Sequence, residues 1–310
     1  MKQELQQLLR ISRHEGFYFW PLFGAHLIRY LFLKFIIGAS FAKRNVHGKQ
    51  MILSLTDPGI SRTLFLLGDR EREHYFILKK ALKPGMNVLD LGANIGYYVL
   101  LEHTRLAGQG SIIAVEPVRD NFDLLQRNIK YNKLQSVTTL HAAVSDQKGK
   151  AKIYLSQLSN VHSLLEDSSR RQTGEFEMVE TMTLSNIVDD YGNIDFIRMD
   201  IEGFEVRILQ SILQMNKKSK FLPSILFELH QKTYNHDEFI ALLTSLYELG
   251  YIIRYAAVSN KGVLAKAETH IEKSIPTDGT IRHIVADLSL TQAKQVIWSA
   301  RCVLLGTASN

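Results

Sequence analysis

Val88-Leu-Asp90-Leu-Gly92-Ala-Asn94-Ile-Gly96 decides the reading of this 310-residue chain. An apolar run ends in a carboxylate, passes a glycine turn and opens a segment of helical spacing over residues 94–105. This pattern is the first strand–turn–helix unit of a doubly wound α/β sheet, in which ligands sit outside the carboxyl ends of the strands. Gly92 would let the backbone approach a ligand closely, and Gly96 would let the helix settle on the sheet. The spacing is G-x-x-x-G, so the middle glycine of the dinucleotide fingerprint G-x-G-x-x-G is missing. Asp90, just before the turn, would repel a pyrophosphate, but it suits an ammonium group, met directly or through water. The spacing D-x-G-x-x-x-G therefore favours S-adenosylmethionine over a nicotinamide dinucleotide.

Strand and helix alternate outward from this unit. Residues 86–91, 111–116, 137–141, 194–201, 224–229, 251–255 and 301–305 read as strands, most of them separated by helical segments. Such alternation predicts a mostly parallel sheet with helices on both faces. The runs near 200 and 225 are apolar almost throughout, as central strands buried on both faces require. Further β-structure is expected at 151–155 and 176–183, and 258–300 reads as a polar insertion ending in a helix.

The second strand ends at Glu116, twenty residues after Gly96, followed by Pro117. An acid there accepts hydrogen bonds from both ribose hydroxyls. After the third strand comes His141-Ala142-Ala143-Val-Ser145-Asp146. Ala143 would allow close approach of a ring, and Asp146 could meet adenine nitrogens, though an ordinary turn reads equally well. The candidate cofactor residues are Asp90, Gly92, Ala93, Asn94, Gly96, Glu116, Pro117, Ala143 and Asp146.

Further acids gather on the same rim. Ile197-Arg-Met-Asp200-Ile-Glu202-Gly203-Phe-Glu205 closes the fourth strand, and Phe227-Glu228-Leu-His230 the fifth. Methyl transfer to an alcohol needs a base as the proton leaves, which a carboxylate or imidazole can provide. Asp200 and His230 are the candidate bases, and Glu202 and Glu228 would orient the acceptor or hold a divalent ion. No metal-ligand spacing is diagnostic, so no metal site is assigned. A plainer alternative has Glu202 and Glu205 capping the next helix and Glu228 pairing with a core arginine.

Composition sets the limits. The chain is 45% hydrophobic and 22% charged, in the range of a folded globular protein. The formal charge of +6 comes from scattered Lys and Arg, with no basic run and no aromatic–basic pattern, which excludes a nucleic-acid partner. Cys302 is the sole cysteine, so there is no intrachain disulfide and no Cys-rich zinc site. In its apolar run it reads as a small buried hydrophobe. A reducing, cytoplasmic setting fits.

Residues 1–50 read as an apolar helical extension and 51–310 as the catalytic domain. Residues 17–42 are strongly apolar and aromatic, but His26, Arg29 and Lys34 interrupt them. A cation at mid-bilayer costs about 2.5–3.5 kcal/mol even on the lenient insertion scale, which argues against a span. The same charges cut any signal-peptide core. Three readings stay open: peripheral contact with the inner face of a membrane, a cover on the chain's own core, and a dimer contact. Helix 69–82 and the polar stretch 156–175 are candidate lids.

These motifs, taken together, resemble the FkbM family of methyltransferases. The resemblance rests on residues 82–98, on Ala114-Val-Glu-Pro117 with Asn128-Ile-Lys-Tyr-Asn132, and on Ala142-Ala-Val-Ser-Asp146, Met199-Asp-Ile-Glu-Gly-Phe-Glu205 and Leu226-Phe-Glu-Leu-His230. It covers about 69–256, leaving out the segment before 50 and the insertion at 258–300. It implies a class I methyltransferase fold with a doubly wound, mostly parallel seven-stranded sheet. It also implies O-methylation of a small-molecule or saccharide acceptor, and it supports Asp90, Gly92, Asn94, Gly96 and Glu116 as cofactor residues. Two rivals are an NAD-dependent oxidoreductase, opposed by the loop spacing, and a non-catalytic S-adenosylmethionine-binding or membrane protein, opposed by the rim acids.

Overall fold

The computed structural model describes residues 19–156, 158–159, 161–166 and 172–307. The chain opens with helix α1 (Phe19–Leu31), which runs on into a π-helical turn (Phe32–Ile36). A hairpin follows, β1 (Phe41–Val46) and β2 (Lys49–Ser54), then α2 (Ile60–Leu67) and α3 (Arg72–Ala81). Next come β3 (Asn87–Leu91), α4 (Tyr97–Leu106), β4 (Ser111–Val115), α5 (Arg119–Tyr131) and β5 (Val137–Leu140). A small sheet interrupts the alternation, made of β6 (Ala143–Val144), β7 (Gly149–Ser156) and β8 (Gln172–Met182). The chain then forms α6 (Leu184–Tyr191), β9 (Phe196–Met199), α7 (Glu205–Ser219), β10 (Ser224–Glu228), α8 (His236–Glu248) and β11 (Tyr251–Val258). It ends with α9 (Lys261–Lys266), β12 (Ile271–Thr277), β13 (Thr280–Leu288), α10 (Leu290–Val296) and β14 (Ala300–Thr307).

The main sheet has nine strands in the order β12-β13-β11-β14-β10-β9-β3-β4-β5. Only β10, β9, β3, β4 and β5 run parallel, and the other four join antiparallel. The doubly wound core is as expected, but the seven-stranded count is not. The region read as a polar insertion folds as the hairpin β12–β13 and extends the sheet. Its turn, Asp278-Gly279, has positive φ at both positions (45° and 75°), the geometry that favours Asp-Gly between paired strands.

The helical reading of residues 1–50 also needs correction. The part before 19 lies outside the described residues, and 41–54 form the β1–β2 hairpin, turning at His47-Gly48 with φ of 48° and 83°. Two asparagines, Asn128 in α5 and Asn132 capping its end, hold this hairpin in place. Asn128 Oδ1 accepts from the Ile52 N–H at 2.7 Å, and its Nδ2 donates to the Ile52 carbonyl at 3.2 Å. Asn132 does the same for Gln50, at 3.2 and 2.7 Å. The two amides thus take the place of a neighbouring strand and satisfy the backbone polar groups of β2.

Side chains alternate across each parallel strand, so each feeds two cores. Leu89, Leu91, Ile197, Met199, Ile225 and Phe227 pack on one face, with α6, α7 and α8. Val88, Phe196 and Leu226 pack on the other, under α3 and α4. By the same alternation Asp90, Arg198 and Glu228 also belong to this second face. Register makes Asp90 and Arg198 direct neighbours on adjacent strands.

Candidate active site

A cleft opens at the carboxyl ends of β3, β4 and β9. It holds about 820 Å³ of empty space, part of it open to solvent. The β3–α4 loop forms its floor. At Gly92, φ is 80°, and an added β-carbon would overlap the carbonyl oxygen of Asp200. Gly92 lines the cleft, as the spacing suggested, and a glycine is also required there by the approach of the loop after β9. At Gly96, φ is 89° and a β-carbon would press on Leu125 of α5 at 2.9 Å. Gly96 therefore belongs to helix packing and does not line the cleft.

Glu116 forms one wall and is almost fully buried. Its Oε2 accepts from the Asn94 main-chain N–H at 2.9 Å, and its Oε1 from Val118 N–H at 3.0 Å and Asn121 Nδ2 at 3.4 Å. Burial pushes its pKa up to about 7, against the opposing pull of the Val118 and Asn94 N–H groups. Two carboxylate oxygens offer about four acceptor positions, and three protein donors leave capacity for a ligand hydroxyl. Asn94 and Asn121 both donate from Nδ2 to the Ser159 carbonyl, at 2.8 and 2.9 Å, which draws the β7–β8 loop over the cleft. Ser159 Oγ is buried with no partner among the described residues. Within the stretch expected to act as a lid, Ser159, His162 and Ser163 line the cleft, and residues 167–171 lie outside the described residues. The other candidate lid, α3, is packed into the core through His74, Ile77 and Leu78, so it is a wall.

The opposite wall carries Asp200 and Glu202, both partly exposed to the cleft. Glu202 sits in the left-handed region at φ 55°, an uncommon backbone state for a residue with a side chain. Ser163 Oγ donates to its carbonyl at 2.9 Å. Asp200 Oδ2 receives Arg198 Nη2 at 3.2 Å. Burial raises the Asp200 pKa and the Glu202 charge adds to it, while Arg198 opposes.

His230 lies behind these acids and does not line the cleft. Its Nδ1 faces Glu205 Oε1 at 3.0 Å, and its Nε2 faces Glu202 Oε2 at 3.1 Å and Asp200 Oδ1 at 3.9 Å. Burial works against protonation, but Glu205 and Glu202 prevail and hold the imidazole charged well above its usual range. A protonated ring with both nitrogens committed is a poor base, which moves His230 from base to counter-ion. Glu205 also accepts from the Ile201 and Gly203 N–H groups at 3.0 and 2.9 Å and from Tyr234 at 2.7 Å. It therefore fastens the Asp200–Glu202 loop to α7, much as the capping alternative had it.

Asp90, Glu228 and Asp146 are not on the cleft wall. Asp90 is fully buried, with Arg198 Nη1 donating to its Oδ1 at 2.8 Å. Arg198 stands between Asp90 and the cleft, lies over the Tyr98 ring at 3.8 Å, and donates to the Gly92 carbonyl at 3.2 Å. The expected contact of Asp90 with a ligand ammonium is therefore replaced by an internal ion pair. Glu228 pairs with Arg301, and Glu71 with Arg70 and, at 2.8 Å, with the Tyr98 hydroxyl. Asp146 is exposed and bonds to Ser145. Ala93, Asn94, Pro117 and Ala143 do line the cleft. Ligand atoms of Asp200, Glu202 and His230 lie within 4.8 Å of one another, as do those of Glu71, His74 and Glu228. Such oxygen and imidazole sets suit a divalent cation. In this structure, imidazolium and guanidinium groups supply the positive charge.

Arg198, Arg70 and Glu71 were missed as site residues. Arg198 had a signal: a guanidinium inside an otherwise apolar strand must find a buried carboxylate.

A model of the methyltransferase FkbM domain family matches residues 90–253, a little over half the chain. No curated protein matches the sequence. Among solved structures, methyltransferase FkbM from Methylobacillus flagellatus is 14% identical with a TM-score of 0.41, and the match covers 72% of this chain and 52% of that one. The chain thus spans about half the length of that protein. M. jannaschii TYW2 in complex with AdoMet is 13% identical with a TM-score of 0.41, covering 86% and 87%. Precorrin-6y C5,15-methyltransferase from Geobacter metallireducens is 12% identical with a TM-score of 0.39, covering 76% and 95%.

Proposed function

The chain belongs to the FkbM methyltransferase family, and from that premise we propose that it transfers a methyl group from S-adenosylmethionine to a hydroxyl of a saccharide-like or other small polar acceptor. One observation carries this reading: Glu116 and the Asp200–Glu202 pair face one another across a single cleft. The cofactor fits the donor set, because Glu116 keeps acceptor capacity for a ribose hydroxyl and Ser159 Oγ offers an uncommitted polar atom. Ala93 and Ala143 leave room beside them for a flat ring.

Bound S-adenosylmethionine supplies an electrophilic methyl group, and the rest is the work of the protein. Glu116 and the Asn94 loop would hold the ribose. Asp200 would take the acceptor hydroxyl's proton as that oxygen exchanges it for the methyl group, the sulfur leaving with the methyl–sulfur bonding pair as the demethylated product. Burial raises the Asp200 pKa, which makes it a stronger base than an exposed carboxylate. Arg198 fixes one Asp200 oxygen and leaves Oδ1 toward His230. The His230 imidazolium keeps two neighbouring acids from repelling one another and serves as a positioning residue. Most of the rate gain comes from holding oxygen and methyl in line.

Calorimetric titration with S-adenosylmethionine and its demethylated product tests the cofactor. Micromolar binding is expected, and no binding by folded protein would remove the reading. Methyl transfer from labelled cofactor into a pool of hydroxylated small molecules and saccharides tests the rest. Asp200→Asn should bind cofactor as well as wild type and transfer about 10²–10⁴-fold more slowly. Undiminished transfer would take the base role from Asp200.

A further inference from the structure

Helix α1 and its π-helical turn have two apolar faces, and only one is covered. Phe23 and Tyr30 turn inward, with the Tyr30 ring against Phe65 and its hydroxyl on the Leu55 carbonyl at 3.0 Å. On the outside lie Ile28 (70% exposed), Leu31, Phe32, Phe35 (69%) and Ile36 (72%). Their spacing of i, i+3, i+4, i+7 and i+8 makes one continuous stripe. Ile37 and Phe41 prolong it to the start of β1. Single exposed hydrophobes are ordinary, but a contiguous stripe of this kind marks an interaction surface.

Charge identifies the partner. From Gly16 to Thr56 the sequence holds no Asp or Glu, but it holds Arg29, Lys34, Lys43, Arg44 and Lys49. Lys34 lies beside the Tyr30 and Phe35 rings, at 5.4 and 5.7 Å from their centres. Lys43 sits 4.2 Å over Tyr131, and Arg127 5.0 Å over Phe41. Apolar side chains flanked by ring-supported cations are the makeup of a segment that lies in the head-group region of an anionic bilayer. Among the described residues no helix is long and apolar enough to cross a membrane.

The surface also connects to the cleft. A groove begins at Phe41, Ser54 and Arg127 and ends at Asn121, Ser159 and His162, and the last three also line the cleft. Polar and apolar surface line the groove about equally, and Asp57, Asp120, Asp123, Glu175 and Glu177 outnumber Arg127 there, so the basic apolar stripe and not the groove meets the anionic surface. We infer that residues 20–41 seat the protein on an anionic phospholipid surface through this stripe and its flanking cations.

Vesicle flotation of the full chain tests this without relying on the proposed reaction. The protein should float with vesicles of about one-third phosphatidylglycerol, stay behind with pure phosphatidylcholine, and be released by salt. Phe35→Asp/Ile36→Asp should reduce flotation by roughly ten- to hundredfold with the melting temperature unchanged, since both side chains are exposed. Ile28→Asp, on the same stripe, serves as a second variant should the first fail to fold. The inference falls if wild type fails to float, or if either folded variant floats as well as wild type. It falls equally if wild type stays behind and elutes as a dimer that Ile28→Asp converts to monomer, because a second copy would then cover the stripe.

Discussion

Asp90→Ala separates two explanations of the same carboxylate. If Asp90 met a ligand directly, its loss would weaken cofactor binding and leave the fold intact. In the structure it is an internal counter-ion, 0% exposed, 2.8 Å from a guanidinium that is itself 4% exposed. Removing one partner of such a pair strands a buried charge, at a cost of about 3–5 kcal/mol. Arg198 keeps Asp200, the Gly92 carbonyl and the Tyr98 face. Those contacts place the expected loss near the lower end, about 3 kcal/mol, a large fraction of the roughly 5–15 kcal/mol that holds a typical domain together. Urea unfolding of wild type, Asp90→Ala, Arg198→Met and the Asp90→Leu/Arg198→Met double variant measures it. The double variant should recover most of the stability, because it removes both charges and fills their space. An Asp90→Ala protein within about 0.5 kcal/mol of wild type, yet unable to bind cofactor, would refute the internal-pair account and restore direct contact.

Glu116 gives a pH signature. Only its ionised form keeps a free acceptor position for a ribose hydroxyl, so with a pKa of about 7 cofactor affinity should rise about tenfold between pH 6 and pH 8. The ligand-free protein should lose stability as pH climbs from the ordinary carboxylate range to 7, because the folded state keeps that proton longer. A flat calorimetric profile, or one unchanged in Glu116→Gln, would contradict this. His230 carries the opposite sign. Its folded pKa lies well above the unfolded one, so its stabilisation is full below about pH 6.5 and fades as pH rises through the folded value. His230→Gln should therefore melt well below wild type at pH 6, with the gap closing at alkaline pH. A pH-independent gap would mean the ring acts by packing alone.

How far the sequence could be read depended on whether the needed information was local. The strand, the turn and the start of the helix around Gly92 are coded within nine residues, and the acid after β4 follows at a distance from Gly96 set by one helix and one strand. Asp90's partner is not local. It depends on β9 lying beside β3 with Arg198 in register, 108 residues away, and no single strand reveals that. The loss of His230 as a base has the same origin, since Glu205 and Glu202 reach its two nitrogens only after the chain has turned through α7. The extra strands are another matter. Thr277-Asp278-Gly279-Thr280 is a hairpin turn in plain view, masked by the polar residues around it. The β1–β2 hairpin was hidden by the apolar segment that runs into it.

Asn128 spends one side-chain amide on two distant places. It holds Ile52 in the hairpin that follows the exposed apolar stripe, and it also donates to the Ile95 carbonyl at 2.8 Å, inside the loop between Gly92 and Gly96. It stands on the helix that starts just past Glu116. An outward pull on the hairpin therefore reaches the floor and wall of the cleft through one side chain. Thermodynamic reciprocity then requires that any factor by which a surface steadies the loop for its ligand returns as tighter hold on the surface once the ligand is in place.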